Sequence, residues 1–231
     1  MAVAAARRLP AFVINLSERT ERLRKFGIRA HNAGLTVERF EAVDTRDLTR
    51  LSTFRSAVDP AAYEELLESL GRGSRSGHEQ LTPGAVGCAL SHVAVSRLAL
   101  ERSWPHFMCF EDDADIPDDL MDLVQDALDA ASARWHLILL GWSGAAPPED
   151  TSVLLQRVHR FVGMHAYVMS ARGAEQMLKL NTPVSTHVDH AMARGAARGE
   201  LDVFGVSRRR ILQSGKGSDV RGKGSGVCFG S

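Results

Sequence analysis

The chain has 231 residues, enough for one domain to bury most of the surface that its unfolded form exposes. With 44% hydrophobic and 24% charged residues it has the balance of a folded globular domain, which excludes disorder for most of its length. Lys plus Arg and Asp plus Glu are 28 each, so no global field recruits nucleic acid or an acidic membrane.

Residues 2–6 are apolar, but Arg7 and Arg8 follow at once, so no signal-peptide core forms. Residues 11–16 (AFVINL) predict a strand, and Ser17 offers a cap for a helix whose Leu23, Phe26 and Ala30 recur at helical spacing. Gly34 closes that helix, residues 36–43 predict a second strand, and residues 44–47 form a polar turn. Two βα-type units in succession favour a partly parallel, helix-covered sheet.

Residues 60–70 predict a helix, and the GRGSRSGHEQ run at 71–80 predicts a loop. Residues 84–101 predict a helix buried on much of its circumference, with Ser91 and His92 inside it. Residues 106–110 predict a strand running straight into Glu111, Asp112 and Asp113, with a helix from Pro117 to Ala131 after them. Further strands are expected at 136–140, 165–170 and 201–206, helices at 171–180 and 188–197, and a surface loop at 145–150. No run reaches the roughly 20 apolar residues of a membrane span, and a cytoplasmic location is the expectation. One α/β domain over 1–213 is expected, followed by a basic, glycine-rich tail at 214–231 with the composition of a flexible linker, read either as a lid over the diphosphate or as a passive disordered terminus.

Carboxylates at a strand's carboxyl end in an α/β sheet point into the ligand crevice, where a hard divalent ion bridging them to a diphosphate relieves their repulsion. A solvated acidic turn leading into the next helix is the competing reading of Glu111, Asp112 and Asp113. Cys88 and His92, four apart, share a helix face, whereas Ser91 diverges from it. Cys88, Cys109 and Cys228 show no C-x-x-C spacing, which argues against a disulfide framework and against a thiolate zinc site. Arg19 and Arg22 stand at i and i+3 after the first strand and suit phosphate or base-edge recognition, or pairing with Glu18 and Glu21. His187, Asp189 and His190 have the residue types for a metal shell, a general base or a helix cap.

In order along the chain, these pieces resemble glycosyltransferase family 25. The matching residues are Val13, Ile14, Asn15 and Leu16 with Arg19 and Arg22, then Gly84, Gly87, Cys88, Ser91 and His92, then residues 110–113. WHLILLG at 135–141 follows, then His165, Ala166, Tyr167, Ser170, Gly173 and Ala174, and last Pro183 and Val184 with Asp189. Ala85 stands where the family often has Glu, and Pro183 lies further from Asp189 than in the usual short Pro-Val-Asp signature.

The resemblance implies a GT-A-like fold, Rossmann-related, with a mixed, mainly parallel sheet flanked by helices. It implies inverting hexosyl transfer from a UDP-sugar, galactose or glucose, to a hydroxyl of a glycan, glycolipid or protein, with Mn2+ or Mg2+. It places Asn15, Leu16, Arg19, Arg22, Ser91, His92, Glu111 and Asp112 at the donor, Glu111 and Asp113 at the metal, and Asp189 as base. A metal-dependent phosphohydrolase and a non-catalytic nucleotide-sugar-binding relative are the rival expectations.

Overall fold

The computed structural model describes residues 6, 9–73, 80–144, 154–207 and 211–214. The expected loop at 145–150 and the expected lid beyond Ser214 lie outside the described residues, as does most of the 71–80 loop.

Strand β1 (Ala11–Asn15) leads into helix α1 (Thr20–Asn32), and β2 (Glu38–Glu41) follows. A 3-10 helix (Leu48–Ala57), α2 (Pro60–Arg72) and α3 (Pro83–Glu101) come next. Then come β3 (His106–Glu111), the short β4 (Ala114–Asp115), α4 (Leu120–Ala130) and β5 (Leu137–Gly144). The chain continues through β6 (Leu155–Arg157), β7 (Phe161–Ser170), α5 (Ala171–Leu180), α6 (Val188–Ala197), β8 (Val203–Val206) and β9 (Leu212–Gln213).

The main sheet has seven strands in the order β2-β1-β3-β7-β5-β8-β6, and β4 pairs with β9 in a separate two-stranded ribbon. β2, β1, β3, β5 and β8 run one way, while β7 and β6 oppose them. This is the mixed, mainly parallel α/β sheet that the resemblance implies.

Alternation along the strands builds two cores. Phe12, Phe107, Cys109, Leu137, Leu139, Tyr167 and Met169 face α3, α5 and α6. Their neighbours Val13, Met108, Phe110, Ile138, Leu140, Ala166 and Val168 face α1 and α4. Such runs read as continuously apolar because both faces are covered, and each fully buried large side chain stabilises by about 1.5–3 kcal/mol. α3 is the one described helix long and apolar enough to cross a membrane, and over half of that stretch is buried inside the protein, so here it serves as a core helix.

Local chemistry sets the helix ends. Asp59 accepts from Ala61 and Ala62 ahead of Pro60, and Gly73 ends α2 in the left-handed region at φ 67°. Thr82 accepts from Ala85 to start α3, and Ser170 accepts from Gly173 to start α5. α1 departs from the expectation: its N-cap is Arg19 without a side-chain cap, not Ser17. α4 begins at Leu120 rather than Pro117, because residues 114–115 leave to pair with β9 and the chain must first turn back.

Candidate active site

β1 pairs with β2 on one side and β3 on the other, so the connection order reverses between β1 and β3. Ligands bind at such switch points, beyond the strands' carboxyl ends. A cleft of about 620 Å³ opens there, walled by Leu16 and Arg22, by the turn Val43 to Arg46, by α3 at Gly87, Ser91 and His92, and by Glu111 to Asp113.

The period of a strand sorts the three carboxylates. Glu111 follows Cys109 onto the α3 side, where its Oε1 lies 3.6 Å from His92 Nε2. Asp112 falls on the opposite side, is buried, and accepts from Asn15 Nδ2 at 2.7 Å and from Arg22 at 3.2 Å. Asp113 faces the cleft with Arg22 at 4.0 Å. Gln213 reaches in from β9, its Nε2 at 3.3 Å from Glu111 Oε2 and 3.5 Å from Asp113 Oδ1. The Ser214 backbone N–H donates to the Asp113 carbonyl at 2.8 Å.

The electrostatics follow from this placement. Burial, then Glu111 and Asp112, push the Asp113 carboxyl up to about 7 against the opposing pull of Arg22. Burial also raises Asp112, with Asn15 and Arg22 opposing. Burial disfavours the Glu111 charge as well, but His92 outweighs it and holds Glu111 below its ordinary range. Burial likewise works against a charged His92; Tyr167, Cys109, Cys88 and Glu111 overcome it and carry the imidazole well above its usual value.

His92 is almost fully buried, and its Nδ1 meets the Tyr167 hydroxyl at 2.9 Å. Among the described residues its Nε2 has no partner at hydrogen-bond distance and faces Glu111 Oε1 at 3.6 Å. Ser91 on the neighbouring face accepts from Val43 N–H at 2.8 Å and donates to the Gly87 carbonyl at 2.7 Å, which fixes the wall of the cleft. α3 lies so close to that wall that a Cβ on Gly87 would overlap the Val43 carbonyl and sit 2.6 Å from Thr45 Oγ1.

The ten expected site residues divide into four groups. Leu16, Arg22, Ser91, His92, Glu111, Asp112 and Asp113 all line the cleft. Asn15 is buried behind it and ties the strand ends together, donating to Asp112 and to the Arg19 carbonyl and accepting from Arg39 at 3.0 Å. Arg19 sits at the start of α1. Asp189 lies in the first turn of α6, where its carboxylate accepts from Gly163 N–H at 2.6 Å and His190 N–H at 2.9 Å. Asp189 is not among the residues that line the cleft.

Three participants carried no role in the sequence reading: Tyr167, Gln213 and the turn Val43 to Arg46. The polar turn after β2 and the place of Tyr167 among the family-matching residues were the visible signals. Cys88 is the other difference. Among the described residues, one group of three metal-ligating side chains converges, Cys88, His92 and Glu111, with ligand atoms within 4.8 Å of one another. A missing C-x-x-C spacing does not exclude this, because the helix supplies Cys88 and His92 at i and i+4 and the end of β3 supplies the third ligand. The rings of His187 and His190 lie tilted by 32° with centroids 5.4 Å apart, without forming such a group among the described residues.

The family model described as "Glycosyltransferase family 25 (LPS biosynthesis protein)" matches residues 8–155. A Haemophilus influenzae protein named "Putative glycosyltransferase" is 30% identical over 146 residues, 59% of this chain and 51% of that protein. The mouse protein named "Inactive glycosyltransferase 25 family member 3" is 30% identical over 176 residues, 72% of this chain and 28% of its own length. The chain thus spans about half of the first relative and a smaller part of the second. A solved structure of apo UDP-glucose pyrophosphorylase aligns over 86% of this chain and 90% of its own, at 9% identity and a TM-score of 0.44. By the family match over residues 8–155, which carries both the α3 cluster and the Glu111 to Asp113 run, this chain belongs to glycosyltransferase family 25.

Proposed function

We propose that the domain transfers a hexose from a UDP-sugar to a hydroxyl of a glycan, glycolipid or protein, with inversion, and that Asp113 and Glu111 hold Mn2+ or Mg2+. The observation that carries this reading is the convergence of Glu111, Asp112 and Asp113 with Arg22 on the cleft at the strands' carboxyl ends. Carboxylates that repel one another at a switch point suit a hard cation. The ion supplies charge neutralisation for the departing nucleoside diphosphate.

The chain's own residues do the rest. Arg22 sits beside the same carboxylates and offers its guanidinium to the diphosphate. Asn15 and Arg22 hold Asp112 in place, which leaves Glu111 and Asp113 turned to the cleft. Asp189, oriented by two backbone N–H groups, takes the proton of the acceptor hydroxyl. The acceptor oxygen bonds to the anomeric carbon as the bond from that carbon to the diphosphate breaks.

A panel of nucleotide sugars assayed with Mn2+, with and without acceptors, tests the proposal. Acceptor-dependent nucleotide release that disappears in Asp113→Asn supports it. Acceptor-independent cleavage of a phosphate ester would make the domain a phosphohydrolase. Binding without turnover would make it a non-catalytic relative, a reading favoured by the name of the mouse protein.

A further inference from the structure

The chemistry of Cys88, His92 and Glu111 differs from that of the Asp113 carboxylate. A thiol, an imidazole and a carboxylate converge there, with ligand atoms within 4.8 Å of one another. Sulfur and imidazole nitrogen favour borderline-soft ions such as Zn2+, while Mg2+ and Mn2+ prefer oxygen sets.

Geometry favours the same ion. Tetrahedral Zn2+ with ligands at ~2.0–2.3 Å sets ligand atoms about 3.3–3.8 Å apart, and His92 Nε2 already lies 3.6 Å from Glu111 Oε1. Cys88 stands one turn before His92 on the same face of α3, which brings its sulfur within 4.8 Å of both other ligand atoms.

His92 supplies the independent observation. Its side chain is 1% exposed, and among the described residues its buried Nε2 has no partner at hydrogen-bond distance. On the other side of the ring, Nδ1 meets Tyr167 at 2.9 Å. If Nδ1–H donates to that hydroxyl, the Nε2 lone pair is left for a metal, the arrangement by which an outer partner orients a ligating histidine.

We propose that Cys88, His92 and Glu111 form a Zn2+ site, open toward the cleft at its fourth position and distinct from the Asp113 carboxylate. Binding forms bonds from sulfur and from His92 Nε2 to zinc, and releases both the Cys88 thiol proton and the Nε2 proton of His92 to solvent. The site stands on the triad alone. Where the proposed donor chemistry also holds, zinc draws Glu111 away from the hard ion, so zinc inhibits and Mn2+ relieves the inhibition.

Co2+, a spectroscopic substitute for Zn2+, tests the site without any assay of transfer. Titrating the full chain with Co2+ should give a thiolate-to-cobalt charge-transfer band that one equivalent of Zn2+ abolishes. Cys88→Ser should lose the band and bind Zn2+ at least about 10-fold more weakly, since even outer partners of metal ligands are worth 10- to 100-fold. Asp113→Asn should keep both. Circular dichroism of each variant confirms that the fold survives, and His92→Gln, which should weaken Zn2+ binding while keeping Cys88, gives a second readout if Cys88→Ser fails to fold. The proposal is overturned by absence of the band in the wild type, by its persistence in Cys88→Ser, or by its loss in a folded Asp113→Asn. Failure of the nucleotide-sugar panel with an intact cobalt spectrum would remove the transferase reading and leave the zinc site standing.

Discussion

Asn15 and Asp112, 97 residues apart, are joined at the ends of β1 and β3 by a 2.7 Å hydrogen bond. The bond spends Asp112 on structure. Together with the strand alternation, it explains why three adjacent carboxylates have three surroundings and why Asp113 is the one left facing the cleft with its charge least compensated.

The proton on Asp113 therefore links folding to pH. Its folded value, about 7, lies above the ordinary value of about 3.9 for an unfolded Asp. A raised carboxyl contributes stability that is complete below the unfolded value and is lost as pH rises through the folded one. Metal-free protein should lose thermal stability between about pH 4 and pH 7 by this contribution, and Asp113→Asn should lose less. Melts of both proteins at pH 5 and pH 8, with and without Mn2+, check it. Equal losses in the two proteins would place the effect elsewhere.

Arg22→Ala should raise the apparent KM for the sugar nucleotide more than it lowers kcat, the pattern of lost uniform binding. A hydrogen bond to a charged group is worth about 1.5–3 kcal/mol, which corresponds to a rise of roughly 10- to 100-fold. Initial-rate kinetics with the donor varied decide it. A change confined to the acceptor would move Arg22 away from the diphosphate.

Asp189→Asn should lower transfer by roughly 10²- to 10⁴-fold with donor affinity retained. The same carboxylate accepts two backbone N–H groups, so a purely structural role is the outcome to exclude. The pH profile of kcat separates the two. A base gives an acidic limb that vanishes in the variant, whereas a structural carboxylate lowers Tm and leaves the limb in place.

Gly87→Ala should destabilise the protein by about 1–3 kcal/mol, the usual range for forcing atoms into filled space. The added methyl meets the Val43 carbonyl and Thr45, backbone and short side chain that cannot swing aside. Urea unfolding measures the loss. Unchanged stability would mean that α3 does not need its close approach to the turn.

Where the sequence was legible, one element carried its own signal. β3 and β5 are apolar runs covered on both faces, and α5 begins and ends within the expected 171–180 because Ser170 caps it. β6, β4 and β9 are two or three residues long and exist through partners far along the chain, so local pattern could not find them. The start of β7 was hidden for a related reason: Phe161 and Val162 pair with Gly144 and Ser143 across register shifts in β5. At the site, the EDD run and the α3 residues were visible as separate motifs. Their meeting depends on the pairing of β1 with β3 and on which side of β3 each residue falls, and spacing along the chain does not encode either.

Gln213 engages the outer oxygens of Glu111 and Asp113 with one amide nitrogen. A cation settling between those carboxylates needs the same lone pairs and repels the same N–H dipoles. Ion and amide are competitors for one seat. Were the carboxylates to hold the proposed ion, its occupancy would loosen the side-chain latch on β9, while the backbone bond from Ser214 to Asp113 would keep the strand within reach.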